Sequence, residues 1–245
     1  MRRRLPFFAA VVGLVLSSAM LIRSANSRDW RTASHEPAGL APDPAATREA
    51  VVQVYGARTW GWRGTFGVHT WVAVKPAGAP AYTVYEVIGW RLRWADSVVA
   101  IHQRAPDARW YGSLPELYAD KRGDEAARLI PRIDAAARSY PYLDEYLAWP
   151  GPNSNTFTAW ITRAVPELGV DLPPTAIGKD YLGGAIFGAA PSGRGLQLSL
   201  GGLLALTASA VEGLELNLLG LSFGINPFDP ALKLPLLGRI GPARR

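Results

Sequence analysis

An α+β fold is predicted for this 245-residue chain: an antiparallel sheet with helices packed on it, then a C-terminal β appendage. Three observations carry that expectation. Between residues 51 and 103, short runs read as strands, and the run at 67–74 alternates and is rich in β-branched and aromatic residues. Two later stretches place apolar residues three and four apart, the period of a helix. From residue 183 onward the alternation returns, now dominated by leucine.

The elements follow in order. VVQVYGAR, Val51–Arg58, reads as a first strand, and TWGWRGTFG as an aromatic, glycine-containing turn. GVHTWVAV (67–74) and YTVYEVIGW (82–90) read as strands joined through PAGAP, short enough for an antiparallel hairpin. SVVAIHQ (97–103) reads as a fourth strand. DEAARLIPRIDAAARSY carries a helical stripe of Ala126, Ile130, Ile133, Ala137 and Tyr140, and Pro131 inside it predicts a bend or a broken start. A second helix is expected from about 155 to 165, with Phe157, Trp160, Ile161 and Ala164 on one face and Pro166 ending it.

Composition and flanking segments set the frame. Hydrophobic content is 49% and charged content 19%, which excludes a disordered chain. With no cysteine, disulfides, thiolate metal sites and a cysteine nucleophile are excluded. The net charge of +6 suits anionic lipid or cell-wall polymer. No zinc-finger or RNP-type motif is present, so no nucleic acid partner is expected. Residues 1–23 begin MRRR, continue with the uncharged run LPFFAAVVGLVLSSAMLI and close on Arg23. They predict a signal peptide or a membrane anchor, with the arginines inside and the body exported. Residues 24–48, polar and proline-rich, read as a linker. Residues 49–182 form the expected α+β domain and 183–245 the appendage.

Within the appendage, GLQLSLGGLLAL from Gly195 aligns without a gap on GLELNLLGLSFG from Gly213. The two predict a repeat of paired hairpins with one leucine-rich face. Exposed apolar patches being uncommon, that face is expected to cover the core of the main domain. A lipid surface is the other seat it could take.

The polar residues that could carry chemistry are few. No His/Asp/Glu cluster has ligand spacing, so neither a metal nor a cofactor is expected. His35 falls in the linker, and His102 on a strand edge. His69 lies mid-strand, and Glu86 falls on the strand expected to pair with it. A buried glutamate needs a partner, and Glu86 could orient and charge-stabilise His69; an outward-facing edge carboxylate is the alternative. Ser154, between Asn153 and Asn155, starts the second helix. Read alone, this triplet is first of all a helix cap, although free N–H groups at a helix start also suit a nucleophile and an oxyanion. Trp60, Trp62, Trp71 and Trp90 predict an aromatic cleft, and Lys179 with Asp180 either lines it or forms a structural ion pair.

Taken together, HTW, YEV and NSNTF resemble, in that order, the circularly permuted NlpC/P60 branch of the papain-like fold, over about residues 50–165. The resemblance implies His69 as base, Glu86 as its orienting residue and Ser154 at the nucleophile's position, with backbone N–H groups near Asn155 as oxyanion donors. Serine stands where that branch has cysteine. A hydroxyl does not ionise near neutral pH as a thiol can, so His69 would have to take its proton during attack. The site is then either a serine hydrolase or acyltransferase acting on an amide or ester, or a pocket without catalysis. The runs VQVYGARTWGWRG, VHTW, WPGPNSNTF, LPPTAIGKDYL and GLELNLLGL also resemble an uncharacterised bacterial envelope family of unknown function. That resemblance implies export across the bacterial inner membrane to the periplasmic face. The expected partners are cell-wall peptide or lipid. Three functions follow: an envelope hydrolase, a non-catalytic envelope-binding protein, or a membrane-surface scaffold using the leucine face and the basic ends.

Overall fold

The computed structural model describes residues 29–242; the N-terminal apolar run, with its signal or anchor reading, lies outside them. Among the described residues no helix is long and apolar enough to cross a membrane. Two α-helices and two antiparallel sheets among the described residues make a mixed α+β arrangement.

The first sheet has the order β4-β3-β2-β1-β5. Its strands are β1 (Val51–Arg58), β2 (Val68–Lys75), β3 (Thr83–Val87), β4 (Val99–Gln103) and β5 (Pro115–Arg122). Strands β1 and β2 are buried on both faces, which is why their sequences are rich in valine and aromatics on either side of the pleat. On one face Val52, Val54, Val72 and Val74 pack with Leu129, Ile133, Phe157 and Ile161 of the helices α1 (Gly123–Arg138) and α2 (Ser154–Ala164). On the other, Tyr55, Trp71, Ala73, Tyr82 and Val84 form a second cluster.

Residues 34–48 are not a linker. Leu40 and Ala41 donate their N–H groups to the Asp107 carboxylate at 2.6 and 3.2 Å, and Tyr82 Oη donates to Pro42 O at 3.1 Å. Buried Lys75 donates to Thr47 O at 2.7 Å. The body supplies the backbone partners of this segment, so it needs no periodic pattern of its own. Helix α1 runs through Pro131 without a break. The carbonyl that Pro131 leaves unbonded within the helix belongs to exposed Ala127, where water can serve it. Strand β5 has no clear sequence signature, because as an edge strand it mixes exposed and half-buried side chains, four of them charged.

The second sheet is a meander of β6 (Phe187–Ala189), β7 (Gly195–Leu200), β8 (Leu204–Ser209), β9 (Gly213–Leu218), β10 (Leu221–Asn226), β11 (Ala231–Leu234) and β12 (Gly238–Ile240). The two aligned segments open the hairpins β7–β8 and β9–β10. Its polarity is the reverse of the expected core cover. Leu196, Leu198, Leu200, Leu204, Leu206, Leu214, Leu216 and Leu218 are exposed, while Gln197, Ser199, Thr207, Glu215, Asn217, Ser222 and Lys233 are buried.

The physical reason lies beneath the sheet. Asp180 accepts from Asn217 Nδ2 at 2.7 Å and from Ser222 Oγ at 3.4 Å, and its backbone oxygen from Ser199 Oγ at 2.6 Å. Lys233 Nζ reaches Asp171 Oδ1 at 2.6 Å and Glu215 Oε1 at 2.7 Å, and Lys179 pairs with the other oxygen of Glu215. Desolvated charges must have partners, and these partners stand on the main domain. With side chains alternating, the charges take the inner face and the leucines are left outside.

Candidate functional site

Strands β2 and β3 pair in the expected hairpin, with Val72 opposite Tyr85 and Val74 opposite Thr83. The strand ends beyond that register bring His69 Nε2 to 2.8 Å from Glu86 Oε2. Glu86 is almost wholly buried and has further partners: His102 Nε2 of β4 at 2.7 Å and Arg104 Nε at 3.2 Å, both on Oε1. His69 is also buried, stacked on Trp110 with ring centroids 3.6 Å apart, and Trp90 and Tyr111 pack on Trp110 in turn. In a neutral ring that donates Nε2–H to Glu86, Nδ1 is the remaining acceptor.

Burial holds the His69 pKa below its ordinary value, outweighing the hydrogen bond and the charge of Glu86 that favour protonation. Burial alone would raise the Glu86 pKa, but the hydrogen bonds of His102 and His69 and the charge of Arg104 take it well below the usual range. Both groups then bind protons less readily folded than unfolded, so both stabilise the fold at higher pH. The His69 contribution is whole above its unfolded value of about 6.5 and is lost as pH falls below it; that of Glu86 follows below about 4.5. Unfolding free energies from urea titrations, measured from pH 7.5 downward, are therefore expected to fall from pH 6.5, by at most about 1.4 kcal/mol per pH unit for the one histidine. The His69→Gln variant should show a flatter profile between pH 6.5 and 5.

The triplet Asn153-Ser154-Asn155 is a helix cap. Asn153 Oδ1 accepts from the N–H of Asn155 at 2.9 Å and of Thr156 at 3.2 Å, and Thr156 Oγ1 accepts from Asn153 N, closing a capping box. The Asn155 side chain is also engaged, donating to Val68 O and Ile177 O. The N–H group expected to hold an oxyanion is thus already bonded. The α2 start touches β2 through Thr70, whose Oγ1 donates to Asn155 Oδ1 at 3.0 Å. Alternation along β2 directs Thr70 toward α2 and His69 toward Trp71 and Trp110. Among the described residues no hydrogen bond joins Ser154 Oγ to His69. The structure brings His69 and Glu86 together and adds His102 and Arg104, which the sequence reading did not include.

The four tryptophans do not form one cleft. Trp71 is fully buried in the second core cluster, its Nε1 donating to Pro106 O at 2.7 Å. Trp90 flanks Trp110, while Trp60 and Trp62 belong to the exposed turn around Gly61–Thr65. Lys179 and Asp180 form a buried structural pair, 3.5 Å apart. His35 is exposed and packs edge-on against Tyr111.

Residues 49–181 match the family model described as "Protein of unknown function (DUF3750)". The chain belongs to this family. No curated protein and no solved structure matches it.

The match covers the first sheet, both helices and the segment up to Tyr181, so the DUF3750 region contains Glu86 and its three partners. The leucine-bearing sheet follows it in the chain and is anchored to it by Asp171, Lys179 and Asp180, three residues of the DUF3750 region. Every outward-pointing strand residue of that sheet from β7 to β10 is Leu, Ile, Phe or Ala.

Proposed function

We propose that this is a cell-envelope protein that works at a membrane surface, a non-catalytic scaffold seated on lipid through its leucine sheet. One observation carries the reading: the outward face of a seven-stranded sheet is apolar while its inner face is polar. At strand spacings near 4.8 Å, with four strands near 20 Å long and three of about 10–13 Å, that face has a projected area on the order of 500 Å². This is toward the upper end of the largest apolar patch on ordinary monomers, roughly 300–600 Å², before the relief of the side chains is counted. The apolar run at residues 5–22, framed by arginines, supports an exported and membrane-held chain.

The test is flotation of a chain beginning at residue 29 with phospholipid vesicles. It is expected to rise with the vesicles. The double variant Leu206→Glu, Leu216→Glu is expected to stay behind with an unchanged circular dichroism spectrum, since both side chains project from the sheet and touch no core. A wild-type chain that ignores vesicles sinks the reading.

A second reading keeps the permuted NlpC/P60-like arrangement and an active site. The His69–Glu86 bond between neighbouring strands supports it. Ser154 would attack an amide or ester of cell-wall peptide or lipid, with Nδ1 of His69 taking its proton and Glu86 holding the ring. The bonded N–H of Asn155 and the direction of His69 weigh against it. A fluorophosphonate probe separates the two: no labelling is expected, and labelling that disappears in Ser154→Ala would establish the hydrolase.

A further inference from the structure

We propose that the leaflet under the leucine sheet is anionic, with Trp62, Arg63 and Trp149 standing at its headgroups. This rests on the lipid-seating reading and adds the lipid class and the orientation.

In a meander, alternate turns fall on the same edge, so the β7–β8, β9–β10 and β11–β12 turns share one edge of the second sheet. Exposed indoles are fastened to that edge at two points. Trp149 Nε1 donates to Leu219 O, in the β9–β10 turn, at 2.9 Å. Its ring lies against Gly220, where a Cβ would come within 3.0 Å of the indole and φ is +83°. Arg58 makes the other link. Its Nη2 donates to Leu236 O in the β11–β12 turn at 3.0 Å, while its Nη1 holds Gly64 O and Thr65 O at 3.2 and 3.1 Å. One guanidinium thus ties the sheet to the turn that carries Trp62. Trp62 and Trp149 are 64% and 52% exposed, beside the exposed turn leucines Leu219 and Leu237.

An apolar ring body with one polar N–H suits the boundary between hydrocarbon and water. Two such rings along the rim of an apolar sheet fix how far it sinks. The charge beside them is positive. The Arg63 guanidinium lies 5.2 Å from the Trp62 ring centre, and no acidic residue starts that turn.

A short stretch of chain joins the apolar run of residues 5–22 to the body. The body first holds the chain near Ser34, whose carbonyl accepts from Gly112 N. From Ile22 to Ser34 the chain can span at most about 40 Å. A second copy stacked face to face would cover the leucines but has no use for a rim of indoles and arginine.

The chain has no cysteine, so Leu216→Cys places a single dye at the centre of the face in the full-length protein. Vesicles of phosphatidylcholine, with and without phosphatidylglycerol, carry brominated acyl chains as quencher. Quenching is expected in both, with a higher seated fraction on the anionic vesicles. Arg63→Ala should cut the seated-to-unseated ratio about fivefold there and leave the neutral vesicles unaffected. Trp62→Ala should weaken seating on both. Equal quenching on both lipids, with Arg63→Ala silent, overturns the headgroup assignment alone. A dye quenched on neither overturns the lipid seating as well. Energy transfer between labelled copies without quenching makes a second copy the occupant and overturns both.

Discussion

Replacing Lys233 by methionine is expected to cost about 3–5 kcal/mol of stability, the range for removing one partner of a buried ion pair. Its ammonium is enclosed by Asp171 Oδ1, Glu215 Oε1 and the Glu212 carbonyl, the last at 2.8 Å. The shape of the side chain survives in methionine but the charge does not, so the Asp171 and Glu215 carboxylates remain desolvated without it. Glu215 shows the dependence directly. Burial would raise its pKa, but Lys179 and Lys233 hold it below the ordinary value. Urea unfolding of the variant at neutral pH measures the loss. The double variant Lys233→Met, Glu215→Gln should recover part of it, because it removes a charge together with its partner. A single variant as stable as wild type would mean that the ammonium is not desolvated.

Trp71→Ala is the second large effect, also about 3–5 kcal/mol. The ring is fully buried between Tyr55 and Trp110, and the Arg104 guanidinium lies 4.9 Å from its centre. Truncation leaves a cavity and strips Pro106 O of its donor. The same cavity opens beside His69, whose ring lies 5.8 Å away. The variant should therefore lose stability and part of the acid sensitivity together, as water reaches the imidazole. Thermal unfolding at pH 7.5 and 5.5 reads both. Stability loss with an unaltered pH profile would show that Trp110 alone shields the histidine.

What could be read in the sequence divides along physical lines. The strands β1 to β4 and the helix after NSN were legible because burial leaves a pattern: near-continuous apolar runs in strands covered on both faces, and apolar residues three and four apart in the helix. Residues 34–48 and β5 left none, since the first is held through its backbone and the second lies at a polar edge. Period 2 in the leucine segments told which residues share a face but not which face is inside. That was decided by Asp171, Lys179 and Asp180, far away in sequence. The His69–Glu86 contact followed from a hairpin reading. The contact of His102 needed the β3–β4 register, in which Glu86 lies opposite Ala100 and His102 is two residues further on, over the same face. The NSN triplet, which the resemblance reads as a nucleophile site, caps the helix, and the threonine at the third helical position completes the box.

The inside-out sheet also dictates an order of events during biogenesis. Its polar side chains have no shelter until the segment from Asp171 to Asp180 is in place, and that segment precedes it in the chain. A chain delivered N-terminus first can complete the family domain, and only then template the leucine strands on it. Strands that emerge without that template would offer both faces of a sheet to the wrong neighbours.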